Sequence, residues 1–311
     1  MTYDELQQQL AWRPQVTGRL GLPRQRVIVG GMGGSALPAH ALRFLDSAFP
    51  VEAHHDYDLP ERSDHTALYV AISYSGNTEE TLSFAQRAGA LGYALAIVTD
   101  AGGDLEQFAQ EKGVPHVIVP GGIQPRDALF YLLHALLLLL GREDLSEQLR
   151  AVSFDAEIAE RNAQTLSRAL ANAFPIFYAS RRNGFLAHTA KIQMNESGKM
   201  PAAANVFPEL NHNEMQSYDV AAPEAVGQLA RFVLFVDQSD DPRIARRMAL
   251  FAKLMGERSR AVVQLPLAQG MRAEQLVSAW YVTHQAARSL ASARHIDPDQ
   301  VPLIESFKAQ L

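Results

Sequence analysis

Residues 26–36 read RVIVGGMGGSA. Valine and isoleucine favour a strand, the glycines a tight turn, and the apolar spacing over 36–45 a helix. Strand, turn and helix in that order open a βαβ unit. Outward from this stretch the same alternation continues. Apolar runs of strand length lie at 51–55, 68–73, 94–98 and 116–119, and helical patterns begin at Thr78, over 105–111, and from Pro125 to Leu140. A polar helical stretch over 145–172 then interrupts the pattern. It resumes with strands at 175–179, 232–236 and 261–265, helices over 185–195, 242–257 and 271–294, and a short helix in the 296–311 tail. Strands alternating with helices predict parallel sheets covered by helices on both faces, an α/β fold. Two domains are expected, 1–150 and 151–311, with the boundary inside the 145–172 helix.

Composition limits the chemistry. Of 311 residues, 47% are hydrophobic and 20% charged, which supports two packed cores and argues against disorder. The net charge of −6 argues against a nucleic-acid or anionic-membrane partner. There is no cysteine, so disulfides, thiolate–zinc sites, iron–sulfur clusters and a thiol nucleophile are excluded, and a cytoplasmic location is expected. The opening MTYDELQQQLAWRPQV lacks the basic and apolar regions of a secretion signal. The apolar run ALFYLLHALLLLL (128–140) is 13 residues, shorter than the roughly 20 needed to span a bilayer, and predicts a buried helix. Only five of the 28 basic residues are lysine, at 112, 191, 199, 253 and 308.

Two segments have the makings of anion-binding loops. In the first, Gly31-x-Gly33-x-x-Ala36 formally fits a dinucleotide fingerprint, which also needs an acidic residue closing the second strand. Glu52 and Asp56 are poor candidates for that role, and a turn required by packing is the plainer alternative. The second, AISYSGNTEET (71–81), puts Ser73, Ser75 and Thr78 around a turn at Gly76, with Thr78 opening a helix. Hydroxyls and free helix amides suit a phosphate monoester. Alternatively, Thr78 is a simple N-cap and the serines are turn residues. A dinucleotide site has no use for this second hydroxyl-rich loop.

GMGGSA followed about 40 residues later by SYSGNTEET resembles sugar isomerase (SIS) domains, which bind phosphosugars. From about residue 26 to the C-terminus the chain resembles the bifunctional phosphoglucose/phosphomannose isomerases, built from two SIS domains of flavodoxin-like fold. The resemblance implies that Gly34, Ser35, Ser73, Ser75 and Thr78 hold the substrate phosphate and sugar.

Three further segments carry the same resemblance. In IQPRDAL (123–129), Arg126 starts a helix, where a guanidinium could stabilise an enediolate or simply pair with a neighbour such as Asp127. In NESGKMPAAANVFPELNHNEMQ (195–216), Glu196 ends a helix with Gly198 as a candidate C-cap, and His212 lies in a loop flanked by Asn211 and Asn213, amides able to fix its tautomer. Desolvation there would suit Glu196 to general-base work. Read alone, Glu196 and His212 are as easily surface residues, and Lys308 in the tail HIDPDQVPLIESFKAQL (295–311) a solvated lysine. The resemblance implies that Glu196 shuttles the proton, His212 and Lys308 open the sugar ring, and Arg126 stabilises the intermediate. It also implies a homodimer whose active site is shared between subunits.

These roles require no metal and no redox cofactor. The His54–His55 pair would point to opposite sides of a strand, and no metal-ligand spacing is visible. The expected activity is aldose–ketose isomerisation of glucose 6-phosphate, and of mannose 6-phosphate, with fructose 6-phosphate. Alternatives are a non-catalytic phosphosugar sensor, a dinucleotide oxidoreductase built on GMGGSA, and an isomerase of another sugar phosphate.

Overall fold

The computed structural model describes residues 1–19, 21, 26–219, 226–308 and 310. Its internal contacts divide it into two compact units, Met1–Val152 and Ser153–Leu311. In the first, the elements run α1 (Tyr3–Ala11), β1 (Arg26–Gly30), α2 (Leu37–Leu45), β2 (Val51–His54), β3 (Ala67–Ser73), α3 (Glu79–Ala90), β4 (Ala94–Thr99), α4 (Asp104–Lys112), β5 (His116–Ile118), α5 (Leu129–Leu139) and α6 (Glu143–Arg150). The strands form one parallel sheet in the order β2-β1-β3-β4-β5. From β1 the chain moves to one side, and from β3 to the other. The strand order therefore reverses between the C-terminal ends of β1 and β3, which is where doubly wound sheets open a crevice.

Both faces of this sheet are covered. Ile28, Tyr69, Ala71 and Ile97 pack against Phe84 and Ala88 of α3 and Leu105 of α4. The opposite face carries α2 and α5, which also pack on each other. Nine of the 11 residues of α5 are buried, which is why its sequence is apolar all round rather than on one stripe. Among the described residues no helix is long and apolar enough to cross a membrane.

The second unit contains α7 (Ala156–Leu170), β6 (Phe174–Ser180), α8 (Gly184–Glu196), β7 (Ala203–Phe207), β8 (Ala230–Val236), α9 (Pro242–Glu257), β9 (Val262–Pro266), α10 (Arg272–Ser292) and α11 (Pro302–Lys308). Its sheet is again parallel, in the order β7-β6-β8-β9. Tyr178, Phe232 and Leu234 meet Phe251 and Met255 of α9 on one face. On the other side α10 packs on α7 and α8.

Two expectations need correction. The 145–172 stretch is two helices, α6 and α7, because Asp155 caps a new one: its Oδ1 accepts the Ile158 N–H at 2.9 Å. The strand β7 is absent from the expected set. Its sequence AANVF is only half-buried at the sheet edge and lacks a continuous apolar run.

Candidate active site

The two glycine- and hydroxyl-bearing loops leave adjacent strands. β1 and β3 are paired, with Gly30 opposite Ala71, so the loops emerge side by side at the crevice. Residues Gly33–Ala36 form a turn of 3₁₀ helix directly after β1. There the buried Ser35 accepts the Tyr74 N–H in its Oγ at 3.0 Å, tying the first loop to the second. In the second loop the turn at Gly76 has φ +72°, and the Ser73 hydroxyl donates to Thr78 Oγ1 at 3.0 Å. Thr78 is the N-cap residue of α3, yet its side chain makes no capping bond; it faces Ser73 instead. Ser75 is exposed on the turn. Hydroxyls and the N-terminus of a 12-residue helix thus share one corner.

Arg126 is brought to the same corner by backbone packing. A Cβ on Gly34 would stand 2.7 Å from Arg126 N and 2.8 Å from Arg126 Cα, so only glycine allows this approach. Arg126 is buried in the short turn Pro125–Asp127, and its Nη1 donates to Gln124 Oε1 at 3.3 Å. Sequence reasoning missed the residue that fixes the preceding loop. The Tyr74 hydroxyl donates to the Pro120 carbonyl at 3.0 Å and accepts from the Ile123 N–H at 3.3 Å. Burial pushes the Tyr74 phenol upward, so it stays neutral and able to donate.

Nearby, His55 Nδ1 lies 3.0 Å from the Gly31 carbonyl and its Nε2 lies 3.1 Å from His40 Nε2. A carbonyl only accepts, so His55 donates through Nδ1, and its Nε2 shares a hydrogen bond with His40 Nε2. His54 packs instead toward Phe84. The two histidines do point apart. Glu52 is bound to Arg26 at 2.6 Å, not turned to the glycine loop as a ribose-binding acid would be. No group of three or more metal-ligating side chains occurs among the described residues.

In the second unit Glu196 is the last residue of α8 and is half-buried. The expected role of Gly198 is not what the structure shows. Ser197 is the C-cap, and the left-handed residue is Lys199, at φ +51°. Gly198 is needed for contact, since a Cβ there would lie 2.7 Å from the Met194 carbonyl oxygen. The Lys199 ammonium donates to the carbonyls of Glu196 at 2.5 Å, Pro298 at 3.1 Å and Gln300 at 2.5 Å.

His212 ends the 3₁₀ turn Glu209–His212 that follows β7. Its side chain is exposed and has no hydrogen-bond partner among the described residues. The flanking amides do not fix it. Asn213 binds Glu209 at 2.9 Å and the Glu214 N–H at 2.5 Å, while Asn211 reaches Met215 Sδ at 3.7 Å. The anchor of the turn is Glu214, which sequence reasoning left without a role. Its Oε1 accepts the Tyr178 hydroxyl at 2.6 Å and the Tyr218 hydroxyl at 3.0 Å, and Oε2 accepts Asn205 Nδ2 at 2.5 Å. Burial, together with the bond to this carboxylate, raises the Tyr178 phenol far above its usual range.

Glu196 and His212 lie on opposite faces of their sheet. Val206 faces α8, since a Cβ on Gly184 would meet its Cγ1 at 2.9 Å. Asn205 and Tyr178 face the other way and hold Glu214. The helix of Glu196 is therefore on the first face and the turn of His212 on the second. Lys308 closes α11, but its side chain lies outside the described residues.

The crevice of the second sheet differs from the first. After β6 and β8 it holds Asn183, Asp237 and Asp240, all buried, where the first has hydroxyls. Ser180 donates to Asp240 Oδ1 at 2.7 Å, Asn183 Nδ2 donates to Asp237 Oδ2 at 3.0 Å, and Arg272 lies 3.7 Å from Asp237. Arg182 lies at the same distance, so Asp237 is a buried charge paired with two guanidiniums.

A doubly wound parallel sheet with glycine, serine and threonine loops at its switch point is the architecture of a sugar isomerase (SIS) domain. Residues 159–311 match the family model of the bacterial phospho-glucose isomerase C-terminal SIS domain. A bifunctional phosphoglucose/phosphomannose isomerase from Caldicellulosiruptor bescii is 33% identical, over 92% of this chain and 89% of its own. A D-glucosamine-6-phosphate 4-epimerase from Sulfolobus acidocaldarius is 32% identical over 62% of this chain and 64% of its own. Among solved structures, a hypothetical protein from Thermus thermophilus has a TM-score of 0.75 at 18% identity, covering 92% of this chain and 83% of that one. The chain belongs to the bifunctional phosphoglucose/phosphomannose isomerase family.

Proposed function

We propose that the protein is an aldose–ketose isomerase that interconverts fructose 6-phosphate with glucose 6-phosphate and mannose 6-phosphate. Family membership sets the reaction class. The observation that carries the assignment to this chain is the crevice between β1 and β3. There Ser35 and Tyr74 link two hydroxyl-bearing loops, and Gly34 seats the first against buried Arg126. A phosphate monoester is met by neutral donors and helix amides, so the overall charge of −6 is no obstacle.

In this reading Ser35, Ser73, Ser75 and Thr78 hold the phosphate and sugar. His212 and Lys308 move protons at the ring oxygen and anomeric hydroxyl to open the ring. Glu196 takes the proton from one carbon and returns it to its neighbour through a cis-enediol, and Arg126 stabilises the enediolate charge. Accepting both C2 epimers requires that the base deliver the proton to either face of C2 through rotation of the intermediate or of the sugar. The protein would act as a cytoplasmic homodimer. Glu196 and an exposed, unpartnered His212 on opposite faces of one sheet support a site completed by His212 of the partner subunit.

Incubation with fructose 6-phosphate followed by product analysis tests this. Both aldose phosphates are expected; glucose 6-phosphate alone narrows the activity, and no turnover contradicts it. The epimerase relative makes glucosamine 6-phosphate the informative second substrate, and it should remain unchanged.

A further inference from the structure

We propose that Lys199 is a positioning residue for the reaction, a clamp that fixes the end of the Glu196 helix against the segment leading into the C-terminal helix. The inference rests on the isomerase reading above and assigns a role to a residue that contacts no reacting atom in it.

The geometry begins with a backbone anomaly. Lys199 sits at φ +51°, a region that costs an L-residue about 1 kcal/mol and is held only where surrounding contacts over-determine it. The contacts here are three carbonyls around one ammonium: Glu196 at 2.5 Å, Pro298 at 3.1 Å and Gln300 at 2.5 Å. Such charge-assisted bonds are about twice as strong as neutral ones. One carbonyl belongs to the residue proposed as the base. The other two belong to the turn that enters α11, the helix that ends at Lys308.

Neighbouring groups hold the same junction. Arg288 grips Asp299, between the two clamped carbonyls, at 2.5 and 3.0 Å. Arg294 donates to the carbonyls of Gly198 and, at 3.2 Å, of Lys199 itself. The last turn of α8 and the 297–300 turn are therefore fastened by cations, Lys199 and Arg294 on backbone oxygens and Arg288 on the Asp299 carboxylate. A helix end would otherwise fray. A carboxylate that must reach two adjacent carbons, and an amine delivered by a short terminal helix, both need this junction held.

Loss of the clamp should therefore reduce turnover while leaving binding of the phosphate group, which the reading assigns to the first unit. The test combines steady-state kinetics on fructose 6-phosphate with hydrogen–deuterium exchange of the full-length protein. Lys199→Met should lower kcat by about 10- to 100-fold, the scale of a misplacement of about 1 Å, with KM changed less than about threefold. Exchange of amides 297–308 should accelerate while the strands β6 and β8 keep their protection. Lys199→Arg, which keeps a cation on a long stem, should recover most of both. Asp299→Asn, which loosens the same turn from the other side, should shift both in the same direction and serves if Lys199→Met folds poorly.

Unchanged kcat in Lys199→Met, or a lower kcat with protection of 297–308 intact, would overturn the proposal. So would loss of protection throughout the unit, which would mark Lys199 as generally structural. A wild type that turns over no sugar phosphate contradicts the isomerase reading and with it the positioning role, while the exchange comparison still decides whether the clamp exists.

Discussion

Glu196 carries the heaviest chemical assignment. A positioned base contributes about 10²–10⁴-fold to rate, so Glu196→Gln should lower kcat by that range. Because phosphate binding is assigned to Ser35, Ser73, Ser75 and Thr78, KM for fructose 6-phosphate should change little; a raised KM at intact kcat would reassign Glu196 to binding. At this scale the sequence was most informative where backbone chemistry constrained it. The glycines and hydroxyls of 31–36 and 73–78 announced themselves, because turn and anion-binding residues are few in kind. Lys199 and Tyr74 were invisible, since their work is done on carbonyls 99 and 46 residues away in sequence. The reading of Asn211 and Asn213 as partners of His212 failed for the complementary reason: adjacency in sequence does not set where a side-chain amide points in a 3₁₀ turn.

Elements give two further predictions. The turns over 209–218 are pinned by Glu214 to β6 through Tyr178 and to β7 through Asn205, and Glu214 also binds Tyr218 within the turns. Glu214→Ala leaves two tyrosine hydroxyls and an amide without their acceptor. Stability should fall by about 2–3 kcal/mol in urea unfolding, and kcat should fall with it as the His212 turn loosens. A variant of wild-type stability would show that the turn has other anchors. In the first unit, α5 and α6 meet through His134, fully buried, with Nδ1 at 3.1 Å from Ser146 Oγ. Desolvation first, and then the Arg150 charge, push this imidazole down to about 4 from its ordinary 6.5. As pH falls below 6.5 the unfolded chain takes up the proton and the folded one does not, so stability declines until the folded imidazole also titrates near pH 4. The loss attributable to His134 reaches about 3 kcal/mol over that window. Comparing the unfolding free energy of wild type and His134→Gln at about pH 7 and about pH 4.5 isolates it; equal pH slopes would contradict the assignment. Central strands and long helices were legible because full burial writes a continuous or periodic apolar pattern. The half-exposed edge strand β7 writes neither, and the break between α6 and α7 depends on a single aspartate cap.

For the whole molecule, the four-stranded sheet repeats the order of the first four strands of the five-stranded one, but not the chemistry of its crevice. Hydroxyls and Arg126 occupy the first, while Asp237 and Asp240 occupy the second. If Glu196 and His212 both move protons, as proposed, their placement on opposite faces of the second sheet requires a second copy to complete the site. The sequence resemblance implied such sharing; the opposite placement of Glu196 and His212 supplies a physical reason for it.

Subunit complementation puts the base, the histidine and the sharing of the site to one test. Glu196→Gln and His212→Ala are each expected to be inactive on fructose 6-phosphate. Mixed one to one under subunit exchange, half the dimers pair the two variants, and each mixed dimer regains one intact site of two. Turnover should return to about a quarter of wild type. A mixture no more active than the separate variants, with exchange verified, would contradict the shared active site.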